Sequence, residues 1–249
     1  MRINTQLEMI NKKLIIDLIN MGDREIIITC DYLRTIKKST NNNKHLGQAC
    51  LELAMMGNLN AMHTMSIIFS YGLMCKQNKE EALYWIIKSV NKKIYPSFLT
   101  LANFYSQEWA NLKRDDKKSI ELIKKAALNK FLPGITMLGI CYKSGEQIVQ
   151  DNRKAIKYLK EASNLGDEMA MWFLSAMILH KLKIKDQSEG IFWLKESAKN
   201  KCPFAHNTLA YFYLDGSHGL EKNKDLYNYH IDMELSLKKK LVSQSLERL

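Results

Sequence analysis

Apolar positions along this chain recur with helical spacing, and they do so in blocks that repeat. The segment KAIKYLKEASNLGDEMA at 154–170 is matched by EALYWIIKSVNKKIYPS at 81–97 and KSIELIKKAALNKFLPG at 118–134. EGIFWLKESAKNKCPFA at 189–205 matches it again. In this Lys-rich helix a large apolar residue falls at Trp85, Leu122, Tyr158 and Trp193, and a small one three places earlier at Ala82, Ser119, Ala155 and Gly190. Each block is joined to a second type of helix, which opens on a small residue at Ala61, Ser97, Gly134, Ala170 and Ala205. Four and five places on stand Met65-Ser66, Leu101-Ala102, Leu138-Gly139, Leu174-Ser175 and Leu209-Ala210. Phe69, Tyr105, Tyr142, Ile178 and Tyr213 follow, then Gly72, Glu108, Gly145, Lys181 and Gly216.

The columns have a physical reading. Small residues at i and i+5 let helix backbones approach closely, and the Leu and aromatic columns fill the space beside them. A Gly after the last turn takes the left-handed conformation that closes a helix without Cβ strain. One hairpin cannot bury both faces, so neighbours must stack. The ends read as worn units and caps. Residues 7–22 read as a leading helix, 22–38 as the next one, and 39–44 as a polar loop. The segment 45–61 is a helix closing on Gly57, and 225–246 is a long amphipathic helix with Tyr229, Met233, Leu237 and Leu241 on one face.

This pattern resembles the Sel-one-like repeat, a relative of the tetratricopeptide repeat. The unit GITMLGICYKSGEQIVQDNRKAIKYLKEASNLG at 134–166 carries the resemblance, with its Leu-Gly, Tyr142 and Gly145, Val149, Asp151, Lys154-Ala155, an aromatic and the closing Gly166. Other units depart from it: Lys93, Lys130 and Lys201 replace the closing Gly, while Glu108 and Lys181 replace the loop Gly. The resemblance covers about residues 44 to 230. It implies an all-α, right-handed α-solenoid superhelix of stacked helix–turn–helix repeats. The chain is then one domain, with a cap and degraded unit at 1–43, repeats at 44–224 and a capping helix at 225–249.

Composition adds little to this. The net charge is +11, but Arg occurs only at 2, 24, 34, 114, 153 and 248. Readers of nucleic acid rely on Arg forks, so nucleic acid is disfavoured as a partner. The Lys residues concentrate in the Lys-rich helices, at 88, 92, 117, 118, 124, 125, 154, 157, 160, 195 and 199. Solvation of that face, or attraction of an acidic partner or an anionic surface, would account for them. The five Cys, at 30, 50, 75, 141 and 202, have no C-x-x-C spacing and read as free core thiols. None of the six His forms an H-x-x-x-H or H-E-x-x-H, and no Gly-rich phosphate loop follows a strand. Glu80-Glu81 and Asp115-Asp116 read as complements to helix N-terminal dipoles. No enzyme, metal or cofactor is expected. The N-terminus lacks an apolar leader segment and no apolar run is long enough to span a bilayer, so a cytoplasmic monomer is expected.

The resemblance implies a non-catalytic, bacterial-type interaction scaffold holding one protein partner in a concave groove. An adaptor or a toxin-neutralising immunity protein would suit this; a secreted effector binding a host protein, or a basic-face binder of nucleic acid or anionic surfaces, is the alternative. The groove candidates are His63, Ile67, Asn103, Ile140, Lys143, Trp172, Leu179, His180, Asn207 and Tyr211, with Trp172 and Tyr211 as the expected hot spots.

Overall fold

The computed structural model describes residues 40–72, 75–109, 112–181 and 187–247. The helices read from 7–22 and 22–38 lie outside them. Among the described residues there are eleven helices and no strand. They fall into two compact units, which meet in the chain between Asp115 and Asp116. The first holds α1 (Thr40–Met55), α2 (Leu59–Tyr71), α3 (Lys79–Asn91) and α4 (Tyr95–Ser106). The second holds α5 (Asp116–Leu128), α6 (Leu132–Ser144), α7 (Asn152–Asn164), α8 (Glu168–Lys181), α9 (Ser188–Lys199), α10 (Pro203–Asp215) and most of α11 (Lys224–Glu247). Helix α1 starts at Thr40, so most of the polar run read as a loop at 39–44 is helical.

Within each unit, helices pack on their neighbours in the chain, and α6 also meets α8. The small-residue columns explain how. Ala61, Ser97, Gly134, Ala170 and Ala205 are all buried, as are Ser66, Ala102, Gly139, Ser175 and Ala210. A Cβ added to Gly134 would stand 2.8 Å from Ala126 Cβ on α5, and one added to Gly139 would stand 2.8 Å from Leu159 on α7. The first small residue thus admits the preceding helix and the second admits the following one. In the Lys-rich helices the fully buried column lies one place after the large apolar one, at Ile86, Ile123, Leu159 and Leu194.

The turns repeat as strictly as the helices. After α5, the Lys130 N–H donates to Ala127 and the Phe131 N–H to Ala126. The same pair of bonds recurs at Gly57, Lys93, Gly166 and Lys201. This double closure requires a left-handed residue, and Lys93, Lys130 and Lys201 adopt φ of 60°, 57° and 66° where the other turns use Gly. The longer hairpin loop closes differently. The N–H of Asn78, Asp115, Asp151 and Asn223 donates to the carbonyl of Phe69, Tyr105, Tyr142 and Tyr213. Glu108 takes the left-handed place of the loop Gly with φ 53°. Asn78 and Asp151 then cap the next helix through their side chains, and Glu80, Glu81 and Asp116 sit in first turns.

Helix α11 spans Lys224–Glu247, as the sequence indicates; Met233 and Leu237 of the expected stripe are half-buried, but its most buried positions lie one place further on. Tyr229 is 52% exposed, whereas His230 and Glu234 are buried. The two imidazoles of His206 and His230 meet Nδ1 to Nδ1 at 2.8 Å, so one donates and the other accepts. Asn207 donates to Glu234 at 3.0 Å, and Lys238 pairs with Glu234 at 2.6 Å. The His230 ring stacks on Tyr213, and Tyr229 meets both imidazoles edge-on.

Two outcomes follow from this packing. Replacing Lys93, Lys130 and Lys201 together by Gly relieves left-handed strain of about 1–2 kcal/mol at each site, which exceeds the roughly 0.4–1 kcal/mol of chain entropy that Gly adds to the unfolded state, so the melting temperature should rise by a few degrees. Burial holds both imidazoles below the usual histidine range, and His206 and Lys195 add to that for His230, whose pKa falls to about 4. The unfolded chain therefore takes up protons first as pH falls. Stability is full above about pH 6.5 and declines toward pH 4. Melting curves between pH 7.5 and 5 should show this decline, and His230→Gln should flatten it.

Candidate partner-binding surface

Two rows of helices in the second unit offer surfaces of different chemistry. The row α5, α7, α9 carries the Lys side chains, most of them exposed. The row α6, α8, α10 carries the groove candidates. The site can be built from the small residue that opens each helix of that row.

The position two places after it is His63, Trp172 or Asn207, and each of these reaches the next helix along. His63 Nδ1 lies 2.9 Å from Ser97 Oγ, at the start of α4. Trp172 donates from Nε1 to Thr208 Oγ1 at 3.1 Å and stacks on Phe204 of α10, with centroids 5.2 Å apart. Asn207 is held by Glu234 of α11. These three therefore sit at contacts between repeats. Ile67 and Leu179 are buried in the core and His63 is only 6% exposed, while Trp172 and Asn207 are half-buried. Leu179 is the side chain that a Cβ on Gly190 would strike, at 2.6 Å.

The remaining candidates are open. Tyr211 is 54% exposed, Asn103 and His180 are exposed, and Ile140 and Lys143 are half-buried. In the second unit Ile140, Lys143, His180 and Tyr211 belong to one row of helices. The Lys143 ammonium lies 5.1 Å from the centre of the Phe173 ring, joining α6 to α8. Trp172 joins α8 to α10. Sequence reasoning missed the column three places after the small residue, where Met137, Phe173 and Thr208 continue this open face. Three and six places after the opening residue lie on one helical stripe, and that periodicity is the signal that could have found them.

Among the described residues no group of three or more His, Cys, Asp or Glu is placed to hold a metal ion. Cys50, Cys141 and Cys202 are buried free thiols, with burial pushing Cys50 up to about 12 and Cys141 up to about 11, and they are poor nucleophiles for that reason. Cys75 is exposed, unlike the core thiol expected. No described helix is long and apolar enough to cross a membrane.

A family model for the Sel1 repeat matches residues 59–93, 101–131, 133–167, 169–202 and 203–226, more than half the chain. The chain belongs to the Sel1 repeat family. Its repeats build a protein-interaction scaffold. Among curated proteins, the chitin synthase regulator SKT5 of Saccharomyces cerevisiae is 33% identical over 115 residues, 45% of this chain and 16% of that protein. An uncharacterised protein of Neisseria meningitidis is 27% identical over 162 residues, 65% of this chain and 33% of the relative. This Sel1 repeat protein therefore spans a third or less of the curated relatives it matches. Its fold is similar to that of a Sel1 repeat protein from Oxalobacter formigenes, with a TM-score of 0.69 at 22% identity, covering 77% of this chain and 76% of the other. It is also similar to the immunity protein Pa5087 of Pseudomonas aeruginosa, with a TM-score of 0.60 at 14% identity, covering 80% and 76%.

The two expected hot spots should separate in a stability measurement. Trp172→Ala removes a hydrogen bond and a ring stack between repeats and should cost about 2 kcal/mol. Tyr211→Ala alters an exposed ring and should leave thermal unfolding within about 0.5 kcal/mol of wild type. Equal losses from the two variants would show that Tyr211 also belongs to the packing.

Proposed function

We propose that this Sel1 repeat protein is a non-catalytic scaffold that holds one protein partner on the open face of α6, α8 and α10. The observation that carries this reading is the row of exposed and half-buried side chains, Met137, Ile140, Phe173 and Tyr211, edged by Lys143 and His180. Rigid aromatic and apolar groups flanked by polar ones are the usual composition of a binding hot spot. Trp172 serves the site from below by locking α8 to α10. Asn103 offers an exposed polar side chain on α4 of the first unit.

Within this class we favour a bacterial cytoplasmic role of the immunity or adaptor type, in which binding alone blocks or recruits the partner. The support is the shared fold with Pa5087, whose name is that of an immunity protein. The test is capture with the tagged chain, followed by quantitative binding of the protein that co-purifies. Tyr211→Ala combined with Met137→Ala should weaken that binding at least tenfold while helical content and melting stay unchanged. Binding that ignores both substitutions would move the partner off this face.

A further inference from the structure

We propose that the Lys-rich row carries a second docking site: the notch between α5 and α7, shaped to receive a segment of an acidic protein that presents one apolar side chain beside a carboxylate. This site lies on different helices from the open face and does not depend on that reading. Its cavity of about 350 Å³ has Ile135 and Leu138 of α6 as its floor, Leu128 on one wall and Tyr158 on the other, with Lys124 and Lys130 at the rim against Glu161.

Three observations carry the assignment. The first is Leu128, which ends α5 with 82% of its surface exposed beside an apolar cavity. A single exposed leucine is ordinary, but one that borders an open apolar pocket leaves both unfilled. The second is recurrence. Two repeats earlier the places of Leu128 and Tyr158 are held by Met55 and Trp85, which line a cavity of about 600 Å³ between α1 and α3, and Met55 is 70% exposed; Lys88 there stands in the place of Glu161. The apolar walls of the notch thus occur at two places in the repeat series, while its charges belong to the α5–α7 notch.

The third observation sets the partner's charge. One repeat after Lys124 stands Lys160, whose ammonium meets Glu189 of α9 at 2.9 Å. The place of Glu189 is taken by Lys154 in the α5–α7 notch, and Lys154 is already paired with Asp151 at 3.3 Å. Lys124 has the position but not the carboxylate. An incoming Asp or Glu would supply it, next to the apolar side chain entering the cavity. A second copy of this chain is a poor occupant, because a net charge of +11 makes self-association of a Lys-rich face unfavourable. A nucleic acid or an anionic membrane would satisfy the Lys residues but would leave the apolar floor empty.

The probe is a phage-displayed library of random 16-residue peptides selected on the full chain, with the best peptide synthesised and its affinity measured by fluorescence anisotropy. The expected result is enrichment of an aliphatic or aromatic residue flanked by Asp or Glu. Leu128→Ser and Lys124→Glu should each weaken that peptide at least tenfold, while Tyr211→Ala leaves it unchanged. Both substituted side chains are at the surface, and unchanged melting curves will verify that the variants fold. No enrichment, or enriched peptides insensitive to Leu128→Ser, would overturn the proposal and leave a solvated Lys face. Loss with Lys124→Glu alone, together with displacement of the peptide by an oligonucleotide or by phosphatidylserine vesicles, would overturn it in favour of simple anion attraction.

Discussion

The closest approaches of helix backbones set the geometry on which the rest of this protein depends. At Gly134, Gly139 and Gly190 there is no room for one more methyl group, since an added Cβ would stand 2.6–2.8 Å from Ala126, Leu159 or Leu179. Contacts this short fix both the crossing point and the rotation of each helix about its axis. Where the column holds Ala or Ser instead, the residue is still buried. Everything else follows from the crossings: which side chains face the next repeat, which stay open, and where the Lys-rich helices leave notches. The turns are fitted to the crossings in the same way. Their left-handed residue is kept even when it must be Lys, because the double backbone closure would be lost in any other conformation.

This is why the repeats could be read from the sequence and the exposure of single side chains could not. A packing constraint imposed at every crossing writes the same small residue, the same Leu and the same ring into every unit, so the columns stand out without a structure. The departures were legible too, since Lys93, Lys130 and Lys201 occupy the places of Gly and behave as Gly would. Exposure is not written that way. Whether the position two after the small residue faces a groove or a neighbour depends on where the next helix crosses, and in His63, Trp172 and Asn207 the neighbour takes it. Each is polar or carries a polar edge, so a reading based on composition assigns it to a surface. Their hydrogen bonds across repeats show the opposite use of the same chemistry.

Helix α11 makes the same point from the other side. An apolar stripe through Tyr229 and Met233 reads as the buried face, yet His230 and Glu234 are the residues that α10 receives. The cause lies in α10, which offers His206 and Asn207 at that seam rather than leucine, so the matching face must be polar. Burying two imidazoles this way excludes the state in which both are charged, because two doubly protonated rings have no acceptor to share. Burial also holds both rings below their ordinary range. The closing helix is therefore selected by hydrogen-bond matching, whereas the repeats are selected by fit.

A stack whose described helices pack mainly on near neighbours in the chain lets its two faces diverge in chemistry. The α6–α8–α10 row presents rings and aliphatic groups that cost little entropy to immobilise. The α5–α7–α9 row presents ammonium groups on flexible stems, which attract at long range but discriminate little. The apolar notch within that second row changes its character, because a cavity adds shape selection to the charge. Lys160 finds its carboxylate inside the protein, and Lys124, one repeat earlier, does not. A difference of that kind between otherwise equivalent repeats is what a repeat protein can use to make one position along its length specific.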